Sequence, residues 1–399
     1  MTTLHNKRAL NGIQVLDVTQ VMAGPFCTML LCDMGADVIK VEPLTGDATR
    51  HWGEGSSTDT AAFNAVNRGK RGIAVDLKTS SGAEIARRLV SQSDILVENY
   101  RPGVMARFGL DYESLRVENR GLIYASISGY GQTGPAMGKG GFDLIAQGVS
   151  GIMSVTGEPG RMPVKAGVPL TDLGAGLFAL SGILAALWHR TATGDGQQID
   201  TSLVEAGLAL SVWEATEYFA TGLPPEPFGS AHRLSAPYQA IQCADRHITI
   251  GTATDRLFRL LCQLLGHVEW VDDPAYASNV DRVKNHKTLA KRIETITTRH
   301  AAAHWLGLFE ANGIPCGPIN SYADAFADPH IVARDMVVQT DHPTLGRIRT
   351  LGTPLKMSRT PLTPGRPAPR LGQHTDAVLA EVGFDPDSIA RFRETAAVG

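Results

Sequence analysis

Short apolar runs and helically spaced apolar residues alternate along the first part of the chain. Gly12-Ile-Gln-Val-Leu-Asp-Val18 has the length and pattern of a strand, and Phe26 to Met34 has the spacing of a helix. Asp37 to Glu42 and Gly72 to Leu77 predict two more strands, Gly82 to Ser91 a helix, and Asp94 to Glu98 and Leu122 to Ile127 two further strands. Apolar strands separated by helices imply an α/β fold, with a parallel sheet covered on both faces. After Gly222-Leu-Pro-Pro-Glu-Pro-Phe-Gly229 the pattern changes to a smaller α+β region. It has a strand at His247 to Gly251 and helices near Asp255 to Leu265 and Leu289 to His300. The polar, proline-containing stretch from Pro343 to Pro369 has no long helical pattern and reads as a tail returning to the first domain. A length of 399 residues suits two domains. The expected division is a large domain over 1–222, completed by 335–399, and a small one over 223–334.

Composition narrows the function classes. The net charge is −3 and only 19% of residues are charged, so nothing points to a nucleic-acid partner or a polybasic membrane surface. The opening residues carry no apolar leader pattern, and the uncharged helical run Leu173 to Trp188 is short and glycine-rich for a span of about 20 residues. A cytoplasmic protein without a membrane partner is the expectation. The five cysteines form no CxxC pair and the twelve histidines no HExxH, so no metal site is expected.

Two segments could carry chemistry. Gly129-Tyr-Gly-Gln-Thr-Gly134 matches a dinucleotide fingerprint, but Pro135 and a further glycine run follow where a helix should open. A glycine loop over a site is the better reading, and no nicotinamide cofactor is expected. The second segment is Pro169-Leu-Thr-Asp-Leu-Gly-Ala-Gly176, which leads into apolar residues at Leu177, Leu180, Leu184 and Leu187. It places Asp172 at a helix N-cap or beside one, where the helix dipole favours its ionised form. Gly174 and Gly176 offer backbone that a ligand could approach. Such a carboxylate can cap a helix or serve as an acyl nucleophile.

Taken together and in order, several segments resemble the family III CoA-transferases. They are Val15-Leu-Asp-Val-Thr-Gln-Val-Met-Ala-Gly-Pro-Phe-Cys-Thr28, Gly46-Asp-Ala-Thr-Arg50, Asn67-Arg-Gly-Lys-Arg-Gly-Ile-Ala-Val-Asp-Leu-Lys78, Glu98-Asn-Tyr-Arg-Pro-Gly103, Ser126-Ile-Ser-Gly-Tyr-Gly-Gln-Thr-Gly-Pro135, Gly141-Phe-Asp-Leu-Ile-Ala-Gln147 and the Asp172 segment. The resemblance implies a Rossmann-like large domain, a small α+β domain and an interlocked homodimer. It also implies an aspartate nucleophile at Asp172, assisted by Asp143. By family position Val21, Met22, Ala23, Asn67, Lys70, Arg71, Asn99, Tyr100 and Arg107 bind CoA. The substrates implied are acyl-CoA and carboxylic acids, handled through aspartyl anhydride and aspartyl-CoA thioester intermediates without a further cofactor.

Met22 stands where formyl-CoA transferases have glutamine. Gly229-Ser-Ala-His-Arg-Leu-Ser-Ala-Pro-Tyr-Gln239 and Gly313-Ile-Pro-Cys-Gly-Pro-Ile-Asn320 are instead similar to the succinyl-CoA–glutarate branch. That likeness implies succinyl-CoA as donor and a dicarboxylic acceptor, with His232 or Arg233 as its second anchor. The nearest rival, an α-methylacyl-CoA racemase, uses a histidine where this chain has Phe142, which cannot move a proton. A non-catalytic CoA-binding protein would have no need of Asp172, and acyl-CoA hydrolysis would require water at the anhydride.

Overall fold

The computed structural model describes residues 8–53, 59–362 and 364–399. The leader reading at Met1 to Lys7 lies outside them. The described residues form two compact units, one drawn from Met1–Ile152, Lys165–Thr216 and Pro329–Gly399, the other from Met153–Val164 and Glu217–Asp328.

The first unit holds six strands: β1 (Gln14–Asp17), β2 (Asp37–Glu42), β3 (Arg71–Ala74), β4 (Ile95–Glu98), β5 (Ile123–Ser128) and β6 (Gln198–Ser202). They pair in the order β3-β2-β1-β4-β5-β6, and every neighbouring pair is parallel. This is the doubly wound order of dinucleotide-type sheets. Successive side chains of a strand point to opposite faces, and here both faces are apolar. Val15, Ile95, Val97, Ile123 and Ala125 pack into one core, while Leu16, Leu96 and Tyr124 pack into the other.

Five helices of this unit matter for the site: α1 (Ala23–Asp33), α2 (Ser80–Ser91), α3 (Asp143–Val149), α4 (Leu170–Thr193) and α5 (Leu203–Leu210). Helix α1 starts three residues before the expected Phe26. Pro25 falls in its first turn, where a missing N–H removes no helical hydrogen bond. Helix α4 is also longer than the uncharged run suggested. By length and composition alone it could cross a bilayer, but half of its most apolar 18-residue stretch is buried, and it packs against α1, α5 and the sheet.

Later segments of the chain complete this unit. The His374 backbone N–H donates to Gly72 O, and the Gly72 N–H to His374 Nδ1, across 302 positions of sequence. Gly399 N–H donates to Ala74 O, and Val398 bridges to Val75.

The second unit has its own antiparallel sheet of β7 (Tyr238–Gln242), β8 (His247–Gly251) and β9 (Cys316–Pro318), in that order. Its core joins Ile248 and Ile250 to Phe258, Ile293 and Phe309 from three helices. The stretch read as a returning tail, Pro343 to Pro369, opens with β11 (Gly346–Leu351), which pairs antiparallel with the preceding β10 (Val337–His342) in the first unit.

Candidate active site

In an open parallel sheet, neighbouring connections diverge where the strand order reverses, and a crevice opens beyond the strand ends. That point lies here between β1 and β4. A cavity of about 280 Å³ occupies it, walled by Gln20 to Ala23 after β1, Asn99 to Pro102 after β4 and Ile127 to Gly129 at the end of β5. Lys139 to Phe142 of the glycine loop, Leu203 and Asp172 close the wall. The loop contains no helix between Gly129 and Phe142, in keeping with rejection of the dinucleotide fingerprint. Gly129 and Gly141 touch backbone to backbone: a Cβ on Gly129 would lie 2.7 Å from Gly141 Cα.

Asp172 is not the cap of its helix. Pro169 holds that position, and Asp172 is the third residue of α4. The carboxylate makes no hydrogen bond or ion pair among the described residues. Burial, with the charge of Asp143 added, pushes its pKa up to about 7, outweighing the helix dipole that was expected to favour the ionised form. Asp143 is held rigidly. Its Oδ1 accepts the Thr171 N–H at 3.0 Å and the Thr171 hydroxyl at 2.8 Å, and its Oδ2 accepts Gln147 Nε2 at 2.7 Å. It thereby satisfies a free N–H in the first turn of α4 while placing a second negative charge near Asp172.

The two glycines expected to admit a ligand are packing positions instead. A Cβ on Gly174 would lie 2.9 Å from a Leu210 methyl, and one on Gly176 would lie 2.7 Å from Ala23 O. They let α4 approach α5 and α1 closely.

Val21, Met22, Ala23, Asn99 and Tyr100 all reach the cavity wall. Asn67, Lys70, Arg71 and Arg107 do not. Lys70 is fully buried and donates to Asp17 Oδ2 at 2.9 Å, Pro25 O at 3.0 Å and Asn67 Oδ1 at 2.7 Å. Those three bonds use its whole donor capacity. Asn67 is equally buried, its Nδ2 donating to Phe63 O. Arg71 lies between Asp37 at 2.6 Å and Glu381 at 2.5 Å. Arg107 lines a separate cavity of about 440 Å³ with Lys78, Thr79 and Ser80 at the start of α2. Two cations beside a helix N-terminus suit a phosphate group.

His232 and Arg233 belong to the second unit. There His232 stacks on Tyr238 with ring centroids 5.0 Å apart, and the Arg233 guanidinium lies over Phe228 and donates to Glu226 O. Sequence reasoning missed Gln20, Arg101 and Lys139 on the cavity wall, and Lys78 beside Arg107. The signal for Lys139 was a lone cation within the glycine run that follows Pro135. Arg101 packs against Gly140, where a Cβ would lie 2.7 Å from its guanidinium.

The family model for CoA-transferase family III matches residues 10–375. A succinate–glutarate CoA-transferase from Agrobacterium fabrum is 43% identical over 96% of this chain and 98% of its own. A succinyl-CoA:glutarate CoA-transferase from Homo sapiens is 39% identical over 95% of this chain and 87% of its own. Among solved structures, a CAIB/BAIF family protein from Brucella suis superposes with a TM-score of 0.84, at 40% identity, over 94% of this chain and 100% of its own. With a switch-point cavity, an unpaired aspartate on its wall and similarity over nearly its whole length, this chain belongs to CoA-transferase family III and is a CoA-transferase.

Proposed function

We propose that the enzyme moves CoA from succinyl-CoA to a dicarboxylic acid, with Asp172 as nucleophile. The observation that carries this reading is an Asp172 carboxylate on the wall of the switch-point cavity with no hydrogen-bond or ion-pair partner among the described residues. It attacks the thioester carbonyl, and CoA leaves as the thiolate. The thiolate then attacks the resulting anhydride at the aspartyl carbonyl, releasing succinate and forming an aspartyl-CoA thioester. The acceptor carboxylate takes the aspartyl group through a second anhydride, and the returning thiolate completes the new CoA ester. Each step exchanges one acyl bond for another, so the carboxylate and the thiol supply all the chemistry without a metal or nicotinamide group.

Two features of the wall support the acyl site. The Met22 and Ala23 N–H groups stand at the N-terminal end of α1 with no partner among the described residues, as donors for a carbonyl oxygen that gains charge. Arg101 and Lys139 bring positive charge to the same wall for a phosphate or a second carboxylate. The Lys78–Arg107 cavity suits the nucleotide phosphate end of CoA. Phe142, on the wall where a racemase needs a proton carrier, favours transfer over racemisation. His232 and Arg233 are assigned to the acceptor on the likeness of their segment to the succinyl-CoA–glutarate branch alone. The named relatives act with glutarate, which supports a dicarboxylate. Exposed Leu144, Ile145 and Val149 of α3, with Leu177 and Phe178 of α4 and Leu208 of α5, form an apolar face that supports the interlocked homodimer.

The test is incubation with succinyl-CoA and a panel of carboxylic acids in deuterated water, followed by mass spectrometry of every CoA species. A new ester with a dicarboxylic acid is expected, from a particle sedimenting as two 42.6 kDa chains. Deuterium in an acyl-CoA without a new ester would overturn the proposal.

The raised pKa of Asp172 gives a pH signature. Only its carboxylate attacks, so kcat/KM should rise with pH and level off above the midpoint of about 7. At pH 6 it should stand about tenfold below the plateau. Glu98 is also pushed up to about 7 by burial, so one profile does not separate them. Asp143→Asn removes the charge near Asp172 and should move the midpoint to lower pH. An unmoved midpoint would assign the profile to another group.

A further inference from the structure

Val21 has φ 67°, in the left-handed region, and is the one β-branched residue to adopt such a value among the described residues. A branched Cβ is costly there, and the conformation persists only where its surroundings impose it. Four side chains hold this turn by its backbone. Asp17 Oδ1 accepts the Thr19 N–H at 2.9 Å, and Lys40 Nζ donates to Thr19 O at 2.9 Å. The Asn99 amide then grips both sides of the next residue: Oδ1 accepts the Gln20 N–H and Nδ2 donates to Gln20 O, each at 2.8 Å. Asp47 accepts the Val21 N–H at 3.2 Å and is itself paired to Lys40 at 3.2 Å. Asp17, Lys40 and Asp47 are fully buried.

The turn leads straight into Met22 and Ala23, which line the Asp172 cavity and start α1. We infer that Asn99 and Asp47 are positioning residues of the reaction. They hold Val21 in its strained conformation and so fix the Met22 and Ala23 N–H groups toward the carbonyl oxygen of the reacting acyl group. Asn99 was expected to touch CoA directly, but its amide is engaged with Gln20 on both its donor and acceptor sides. Asp47 holds the Val21 N–H as the Asn99 oxygen holds the Gln20 N–H. The inference rests on the proposal that this cavity is the acyl site.

The consequence is a specific coupling. If Asn99 acts by opposing the strain at Val21, a glycine at position 21 makes Asn99 less necessary, because glycine adopts positive φ without penalty. Four enzymes are compared: wild type, Asn99→Ala, Val21→Gly and the double variant, each assayed with the best acceptor of the acid panel. Asn99→Ala in the natural background should lower kcat about 100-fold, with KM for the CoA thioester changing by less than about threefold. In the Val21→Gly background the same replacement should cost less than about tenfold. Amide hydrogen exchange across residues 17–24 should accelerate in Asn99→Ala.

Equal losses in both backgrounds, or a loss confined to KM, would overturn the inference and make Asn99 a ligand contact. So would accelerated exchange with unchanged turnover. Asn99→Asp keeps the acceptor for the Gln20 N–H and exchanges the donor for a charged oxygen facing Gln20 O. It should fall between wild type and alanine, and it carries the test if Asn99→Ala does not fold. Asp172→Ala serves as the separate control: full turnover in that variant would sink the acyl-site reading, whatever the Asn99 cycle returns.

Discussion

Asp172→Ala should reduce the rate of CoA transfer by about 10⁴-fold or more, because direct attack of one acid on another's thioester forgoes both the covalent relay and the preorganised nucleophile. The loss should appear in kcat with little change in CoA affinity. The cavity at Lys78 and Arg107 and the cations Arg101 and Lys139 are untouched by the change. Hydroxylamine gives a second readout. Added with succinyl-CoA, it should trap wild-type enzyme as a hydroxamate at Asp172, visible by peptide mass, and leave Asp172→Ala unmodified. Retained turnover in the variant, or trapping at another carboxylate, would remove Asp172 from the proposed mechanism. The alanine variant should fold at least as well as wild type. Asp172 has a raised folded pKa, so the native state binds its proton more tightly than the unfolded chain. Ionisation therefore costs stability as pH rises from the ordinary carboxylate range to about 7, and that cost is fully present above it.

Lys70→Ala should show the opposite balance, a large loss of stability with little specific effect on CoA binding. Lys70 and Asp17 are both fully buried and bonded at 2.9 Å. Despite its burial, Asp17 is held well below the usual carboxylate range by Lys70 and Lys40, while burial draws the Lys70 pKa down against the pull of Asp17. Removing the ammonium leaves the Asp17 charge short of a partner and the Asn67 oxygen without the Lys70 donor, while Pro25 O keeps only the Thr28 hydroxyl at 3.2 Å. Breaking a buried pair in this way costs about 3–5 kcal/mol. Urea unfolding at neutral pH measures the stability, and the KM of the folded fraction should shift by less than about threefold if phosphate contact is absent. A stable variant with KM raised more than about tenfold would return Lys70 to the CoA site.

These two residues differ in how far the sequence placed them: Asp172 lines the switch-point cavity and Lys70 does not. Asp172 was legible because a single carboxylate opens an otherwise uncharged helical run. Strands β1 to β5 were legible because a sheet covered on both faces needs continuous apolar runs. Strand β6 was not, since Gln198-Ile-Asp-Thr-Ser202 sits at the sheet edge with one apolar residue. The choice between Lys70 and Lys78 could not be read from their shared segment either. What buries Lys70 is Asp17, 53 positions earlier, and what places Lys78 is the start of α2 meeting Arg107. Local pattern reports a residue's secondary structure; its solvent access depends on partners elsewhere in the chain. The same holds for Gly174 and Gly176, whose neighbours Leu210 and Ala23 lie on other helices.

The long return of the chain to β3 has a bearing on synthesis. Gly72 emerges from the ribosome 302 residues ahead of the His374 that hydrogen-bonds to it. At ordinary elongation rates that interval is on the order of 15–60 s. For that time the nascent sheet carries an open edge at β3, with the Gly72 and Ala74 carbonyls unpaired. An uncovered strand edge is a template for wrong pairing. Production of this enzyme should therefore depend on chaperone occupancy during translation, and a message cut short before His374 would yield a chain with an adhesive flank rather than a smaller working enzyme.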